Sequence, residues 1–502
     1  MVSDNPKQAV DVAVLVSPGI GHTIPLFEFS KRLSVDHGLE VCFLVITTNE
    51  PSPAQDSLLR PEAGAVIPPN LHVVDLPPTD LSTIPEDTTL GDRISLLVKR
   101  SLESVRVVLL EPTSRPKALV IDIFCSEALE FGQELSIPVY TFFTTCAALL
   151  TFSLYLPTLD HEVEGEFTDM PGPIRVPGCR SYRPEDLLDP VKNRKIEEYR
   201  WILLHFSRLP RAAGILLNTW EDLEPVSLAA LKENPFFLQI PAPPVYTIGP
   251  VIKQAEGSEM LTPSNAESLT WLDRRPPESV LFITFGSGGT LTIEQLTELG
   301  WGLELSQQRF VWVVRAPTDV SGSGTFFKAG STKSGPEEYL PEGFLERTRG
   351  LGVVVQSWAP QMAILGHSST GAFISHCGWN STLESLSCGV PLIAWPLYAE
   401  QRMNAAMLAE DIGVAIRPVT MDQGTGLVGR DEVERVVRMV MEGEEGKALR
   451  RRARDLKDSA EKALSCGGTS WETLATVCRE WKSKDIYAAP NNKCSCAAAG
   501  RT

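Results

Sequence analysis

Gly371-Ala372-Phe373-Ile374-Ser375-His376-Cys377-Gly378-Trp379-Asn380-Ser381 is the stretch whose reading decides the fold. Residues 371–375 read as a short buried strand, His376-Cys377-Gly378 as a turn, and a helix opens at about Asn380. The same order occurs twice more. Residues 280–285 are a strand, followed by the loop Gly286-Ser287-Gly288-Gly289 and a helix from about Thr292. Residues 12–16 are a β-branched run, followed by the loop Ser17-Pro18-Gly19-Ile20-Gly21, with Pro25 marking a helix start ahead of Leu26, Phe27, Phe29 and Leu33. Further apolar runs at 118–123, 137–143, 353–355 and 390–395 are separated by helix-length segments. Such alternation predicts an α/β fold, with parallel sheets covered by helices on both faces.

A chain of 502 residues, 43% of them hydrophobic, is too long for one ordinary core. The proline-rich passage Ile240-Pro241-Ala242-Pro243-Pro244 and the segment Ile248-Gly249-Pro250 mark a joint. Two doubly wound units are therefore expected, over 1–249 and 250–485, with 486–502 as a disordered tail. Ligands of such sheets collect at strand carboxyl ends, so two facing sheets would share an inter-domain cleft. Residues 471–481 read as a final amphipathic helix begun by Thr469 or Ser470, expected to pack back on the N-terminal unit. The glycine- and serine-rich segment 320–336 reads as a mobile surface loop, and Arg450-Arg451-Arg452-Ala453-Arg454 as a solvated helix face rather than a phosphate patch.

Composition excludes several classes. The 46 Lys and Arg against 63 Asp and Glu give a charge of −17, which argues against a nucleic-acid binder. The ten cysteines show no zinc spacing and fit reduced, mostly buried thiols. Asp4, Lys7 and Asp11 precede the first apolar run, unlike a signal peptide, and the apolar residues 146–159 contain Pro157 and fall short of the roughly 20 needed to span a bilayer. A cytoplasmic monomer with no membrane partner is the expectation.

Chemistry concentrates between residues 358 and 401. A helix start presents unpaired N–H groups and a positive dipole end, so the turn at His376-Cys377-Gly378 is a natural pyrophosphate cradle, with His376 and Ser381 as side-chain donors. The alternative is that Gly378 only makes a turn and that Asn380 or Ser381 only caps the helix. Trp358 offers a flat face for a base, with Gln361 and the Ala359 backbone at its edge, or it is core. Glu384 shares a helix face with Asn380 and could accept two ribose hydroxyls, or it is a solvent-facing charge. Glu400 and Gln401 supply a carboxylate and an amide suited to a hexose. At the other end of the chain, His22 follows the first strand, and Asp122 ends a buried one and needs a donor partner; the two read as a base and its orienter.

Together, Trp358-Ala359-Pro360-Gln361, Ser375-His376-Cys377-Gly378-Trp379-Asn380-Ser381, Glu384 and Pro396-Leu397-Tyr398-Ala399-Glu400-Gln401 resemble the signature box of plant family 1 glycosyltransferases. The resemblance extends over roughly residues 10–485. It implies two facing Rossmann-like domains of the GT-B type, acceptor on the first and UDP-sugar on the second. It implies that Trp358, Ala359, Gln361, His376, Gly378, Asn380, Ser381 and Glu384 hold UDP and that Ser287 reaches the diphosphate. Glu400, Gln401, the Trp379 backbone and Thr144 would hold the sugar, with Tyr398 in the same run. Gln401 and Trp379 are the residue types associated with glucose donors.

On the same resemblance His22 takes the acceptor proton and Asp122 stabilises the imidazolium, giving a β-O-glucoside by inversion. Residues 284–291 and 396–405 look most like the hydroquinone and monolignol glucosyltransferase subgroup, which implies a small aromatic acceptor. Thr144-Thr145-Cys146 departs from that subgroup's pattern. Ile20, Phe124, Cys125 and Leu149 are candidate acceptor contacts, each equally explained as core. No cofactor beyond the UDP-glucose co-substrate and no metal is expected, since no two aspartates are spaced as Asp-x-Asp. The diphosphate is expected to be held almost without Lys or Arg. Rival readings are the same fold with another UDP-sugar, or a nucleotide-sugar binder without catalysis; a nicotinamide dehydrogenase is disfavoured because neither glycine loop continues as G-x-G-x-x-G.

Overall fold

The computed structural model describes residues 10–50, 53–61, 64–85, 88–111, 115–253, 263–317, 335–421 and 426–483. Nearly all of the segment 320–336, and all of 486–502, lie outside them.

Among the described residues the first sheet has seven strands: β1 (Val12–Val16), β2 (Val41–Val45), β3 (Leu71–Asp75), β4 (Ala118–Asp122), β5 (Val139–Phe143), β8 (Gly214–Leu217) and β9 (Val245–Thr247). Between β5 and β8, β6 (Ile174–Arg175) and β7 (Ser181–Tyr182) form a short antiparallel pair. The second sheet has six among the described residues: β10 (Val280–Thr284), β11 (Arg309–Val314), β12 (Gly352–Gln356), β13 (Thr370–Ser375), β14 (Leu392–Ala394) and β15 (Ala415–Ile416). The orders are β3-β2-β1-β4-β5-β8-β9 and β12-β11-β10-β13-β14-β15, parallel throughout. Strands buried on both faces explain why the sequence shows continuous rather than alternating apolar runs.

Each sheet reverses its winding beside its first strand, between β1 and β4 and between β10 and β13. Those crevices lie beyond the carboxyl ends of the strands. Leu15 pairs with Ile121 and Thr284 with Ser375, so the loop after β1 faces Asp122 and the loop after β10 faces His376.

The helix after β1 spans Ile20–Val35 and begins five residues before Pro25, which lies inside it. Proline has no N–H to return to the carbonyl four residues earlier, that of Gly21. The freed carbonyl accepts instead from Asn380 Nδ2 at 2.7 Å, a bond from the second half of the chain to the first. Trp379 Nε1 to Asn218 O at 2.7 Å, Arg402 to Asp189 at 2.8 Å and Arg417 to Asp186 at 2.6 Å also join the halves. Arg450 is buried and donates to Val440 O, so the arginine run is partly structural rather than a wholly solvated face.

Helix Thr469–Ser483 packs on the first sheet. Leu474, Val477, Cys478 and Trp481 recur at three- and four-residue spacing and share a cluster with Val12, Val14 and Tyr140. Trp481 is fully buried, its ring edge-on to Tyr140 at 5.2 Å. Trp481→Ala is expected to destabilise the chain by about 3 kcal/mol, from lost burial and the cavity left behind, read as a lowered denaturant midpoint. An unchanged midpoint would show that this helix does not hold the first sheet.

Candidate active site

One cavity of about 620 Å³ collects both crevices. On its first-half side lie His22, Phe124, Thr144 and Leu149; on the other lie Ser287, Trp358, His376 and Glu384 with their neighbours.

Asp122, fully buried at the end of β4, accepts from Ser17 Oγ at 2.8 Å and from Phe124 N at 3.0 Å on Oδ1. His22 Nδ1 lies 2.8 Å from its Oδ2. A carboxylate only accepts, so Nδ1 carries the proton and Nε2 is left with a free lone pair. Burial pulls the His22 pKa down, but the charge and hydrogen bond of Asp122, with the charge of Glu400, outweigh it and leave the pKa raised above 6.5. Thr144 Oγ1 stands 3.4 Å from the same Nδ1, and the Phe124 ring packs 5.2 Å from the imidazole.

Opposite, β13 ends at Ser375 and helix Trp379–Ser387 begins after Gly378, its N-cap, with no side-chain cap. Asn380 and Ser381 therefore do not cap it, and its first N–H groups have no side-chain partner there. His376 is buried and its pKa is lowered to about 3, by burial first and by the Arg315 charge second, so the ring is neutral. A Cβ at Gly378 would fall 2.5 Å, and one at Gly286 2.4 Å, from His376 Nε2; these glycines make room for the ring as well as for a close backbone approach.

Gln361 Nε2 donates to Ser381 Oγ at 2.9 Å and to Glu384 Oε2, joining the three into one polar group. Glu384 is buried, not solvent-facing, and Trp358 is 43% exposed at the cavity, not core. Ala359, Tyr398, Glu400 and Gln401 also line the cavity. Gln401 Oε1 accepts from the backbone N–H groups of Leu397 and Tyr398 at 2.9 and 3.0 Å, leaving its amide as the donor. Burial raises the pKa of Glu400, and of Tyr398 to about 12.

Of the four candidate acceptor contacts, Ile20, Phe124 and Leu149 line the cavity. Cys125 does not. The 3-10 turn after Asp122 points Phe124 at His22 and rotates Cys125 into the layer behind the sheet, fully buried with Leu15, Ile94 and Ile121.

Arg315 follows β11 and lines the cavity, donating to Gly286 O, Gly289 O and Ser357 O, so the cavity wall contains a half-buried cation. Burial lowers its pKa to about 10, leaving it protonated at neutral pH. Its position directly after an apolar strand was the available signal. Asn404 was also missed: fully buried one turn after Glu400, it donates to Glu400 Oε1 at 3.2 Å and to Cys377 O at 2.9 Å, and accepts from Cys146 Sγ at 3.3 Å. The departure at Cys146 thus has a structural use.

The family model described as UDP-glucoronosyl and UDP-glucosyl transferase matches residues 265–448. The UDP-glycosyltransferase 72B1 of Arabidopsis thaliana is 46% identical over 475 residues, covering 94% of this chain and 96% of the relative. The chain belongs to the UDP-glycosyltransferase family. This glycosyltransferase is also 45% identical to the hydroquinone glucosyltransferase of Rauvolfia serpentina, over 94% of its own length and 98% of the relative. The structure of Phytolacca americana UGT2, complexed with UDP-2-fluoro-glucose and pterostilbene, superposes with a TM-score of 0.84 at 41% identity, covering 95% of this chain and all of that one. The enzyme is therefore a plant-type transferase that moves a glycosyl group from a UDP-sugar, on two facing Rossmann-like sheets. Among the described residues, no helix of this glycosyltransferase is long and apolar enough to cross a membrane.

Proposed function

We propose that the enzyme transfers glucose from UDP-glucose to a hydroxyl of a small phenolic acceptor, inverting the anomeric centre to give a β-O-glucoside. The observation that carries this is the shared cavity: His22, held from behind by Asp122, and residues of the Trp358–Gln401 segment line one space, large enough for a nucleotide-sugar and a small aromatic together. Residues 1–249 would bind the acceptor and 250–485 the UDP-sugar.

His22 Nε2 takes the hydroxyl proton while the acceptor oxygen forms its bond to the anomeric carbon. The bond from that carbon to the β-phosphate oxygen breaks, and UDP leaves with the electron pair. Asp122 keeps the proton on Nδ1 and stabilises the imidazolium. Trp358 would stack the base, with Ala359 and Gln361 at its edge, and Glu384 would accept ribose hydroxyls. Glu400, the Gln401 amide, Thr144 and the Trp379 backbone would hold the sugar beside Tyr398. The leaving diphosphate would meet the helix start at Gly378, together with Ser287, His376, Asn380, Ser381 and the Arg315 cation, donors fixed before the reaction begins. This arrangement supplies positive potential without a metal. Hydroquinone and pterostilbene in the relatives' names support a phenolic acceptor.

Competition among UDP-glucose, UDP-galactose, UDP-xylose and UDP-glucuronate in a single-turnover assay, with the product anomer assigned by NMR, tests this reading. The β-glucoside is expected to predominate, at a rate that a chelator leaves unchanged. Another sugar in excess, an α product or loss of activity with chelator would each overturn the corresponding part.

A further inference from the structure

The acceptor end of the cavity is apolar, lined by Ile94, Phe124, Leu149, Ile202 and Phe206, yet a carboxylate lies among them. Glu198 sits in the first turn of helix Glu197–Arg208, and Ile202 and Phe206 follow at successive four-residue steps, so all three share the face that lines the cavity. Its Oε1 accepts from Gly91 N at 2.9 Å, one of the unpaired first-turn N–H groups of helix Leu90–Leu110. The Thr89 hydroxyl also supports it. The contact depends on the glycine, since a Cβ on Gly91 would lie 2.6 Å from Oε1.

The other cavity carboxylates are otherwise engaged. Asp189 pairs with Lys192 and Arg402, Glu384 with Gln361, and Glu400 with Asn404. The partners of Glu198 are an N–H group and a hydroxyl rather than a cation, and burial, with the nearby Asp92 and Asp189 charges, raises its pKa above the ordinary carboxylate value. An ionised carboxylate has about four acceptor positions, so capacity remains toward the cavity.

We propose that Glu198 is a specificity-determining residue for the acceptor: it accepts a hydrogen bond from a hydroxyl other than the reacting one. The site then prefers phenols with a second O–H or N–H donor and turns away those with a carboxylate there. In apolar surroundings an acceptor lacking that donor leaves the carboxylate's remaining acceptor positions unfilled, and an anionic acceptor adds repulsion between like charges. This rests on the glucosyl-transfer reading above.

The test compares kcat/KM for hydroquinone, 4-methoxyphenol and 4-hydroxybenzoate, and for resveratrol against its dimethyl ether pterostilbene, in wild type, Glu198→Ala, Glu198→Gln and Gly91→Ala. Wild type is expected to favour the free hydroxyl about tenfold in at least one pair. Glu198→Ala should bring that ratio to within about twofold of one, and Gly91→Ala, which displaces the carboxylate without removing it, should lower it too. Glu198→Gln should raise turnover of 4-hydroxybenzoate about tenfold. Ratios unchanged in both Glu198 variants, or no wild-type preference in either pair, overturn the role of Glu198 while leaving transfer intact. A wild-type enzyme that glucosylates none of these phenols overturns the proposed function, and this inference with it.

Discussion

His22→Ala is expected to lower the rate of transfer by about 10³-fold while leaving UDP affinity, measured by calorimetry, within about twofold of wild type. His22 Nε2 is the free basic nitrogen beside the acceptor end of the cavity, and neither side chain within reach of its ring duplicates it: Thr144 is a hydroxyl and Asp122 is fully buried behind the imidazole. The residues assigned to UDP lie on the opposite wall and lose no contact with His22. The base works only when neutral, so activity rises with pH through the raised His22 pKa, above 6.5. The alanine variant should lose that dependence along with the rate. Transfer at more than a tenth of the wild-type rate would mean that another group takes the proton.

Much of this site was legible in the chain because parallel strands bury whole apolar runs and place the residue after each run at the same edge. His22, Ser287 and His376 stand past such runs and Asp122 ends one; the two reversals in strand order bring the first three into one cleft, with Asp122 behind His22. Illegible were features set by helical phase and side-chain direction over one or two residues. Phe124 and Cys125 are adjacent, yet one packs on His22 and the other disappears into the core, because the chain enters a 3-10 turn rather than continuing the strand. Pro25 marked a helix start in the sequence, but the backbone was already helical from Ile20, and the carbonyl that the proline frees found a donor in Asn380, far along the chain. Arg315 was overlooked because net charge describes the whole surface, whereas one half-buried guanidinium in the cavity wall sets the local potential. Glu198 lies in a segment with no motif, and its place in the cavity follows from helix packing alone.

Asp122→Asn changes least in shape and is expected to cost about 10²–10⁴-fold in kcat/KM. Asparagine can keep its oxygen toward Ser17 Oγ and Phe124 N, the two donors that now bind Oδ1. Its NH₂ group then faces His22 Nδ1, where Oδ2 accepts at present. Two donors cannot share one bond, so the imidazole shifts its proton to Nε2 and the lone pair needed for the acceptor is lost. The pH profile should move as well. Asp122 raises the His22 pKa both by charge and by hydrogen bond; without them, burial outweighs what remains, the charge of Glu400. The acidic limb of the residual activity should therefore shift to lower pH, a change that loss of folding would not produce. UDP binding should persist, because Asp122 lies behind the imidazole and does not line the cavity. An Asp122→Asn enzyme with wild-type activity, or one whose acidic limb stays in place, would remove Asp122 from its role as the orienter of the base.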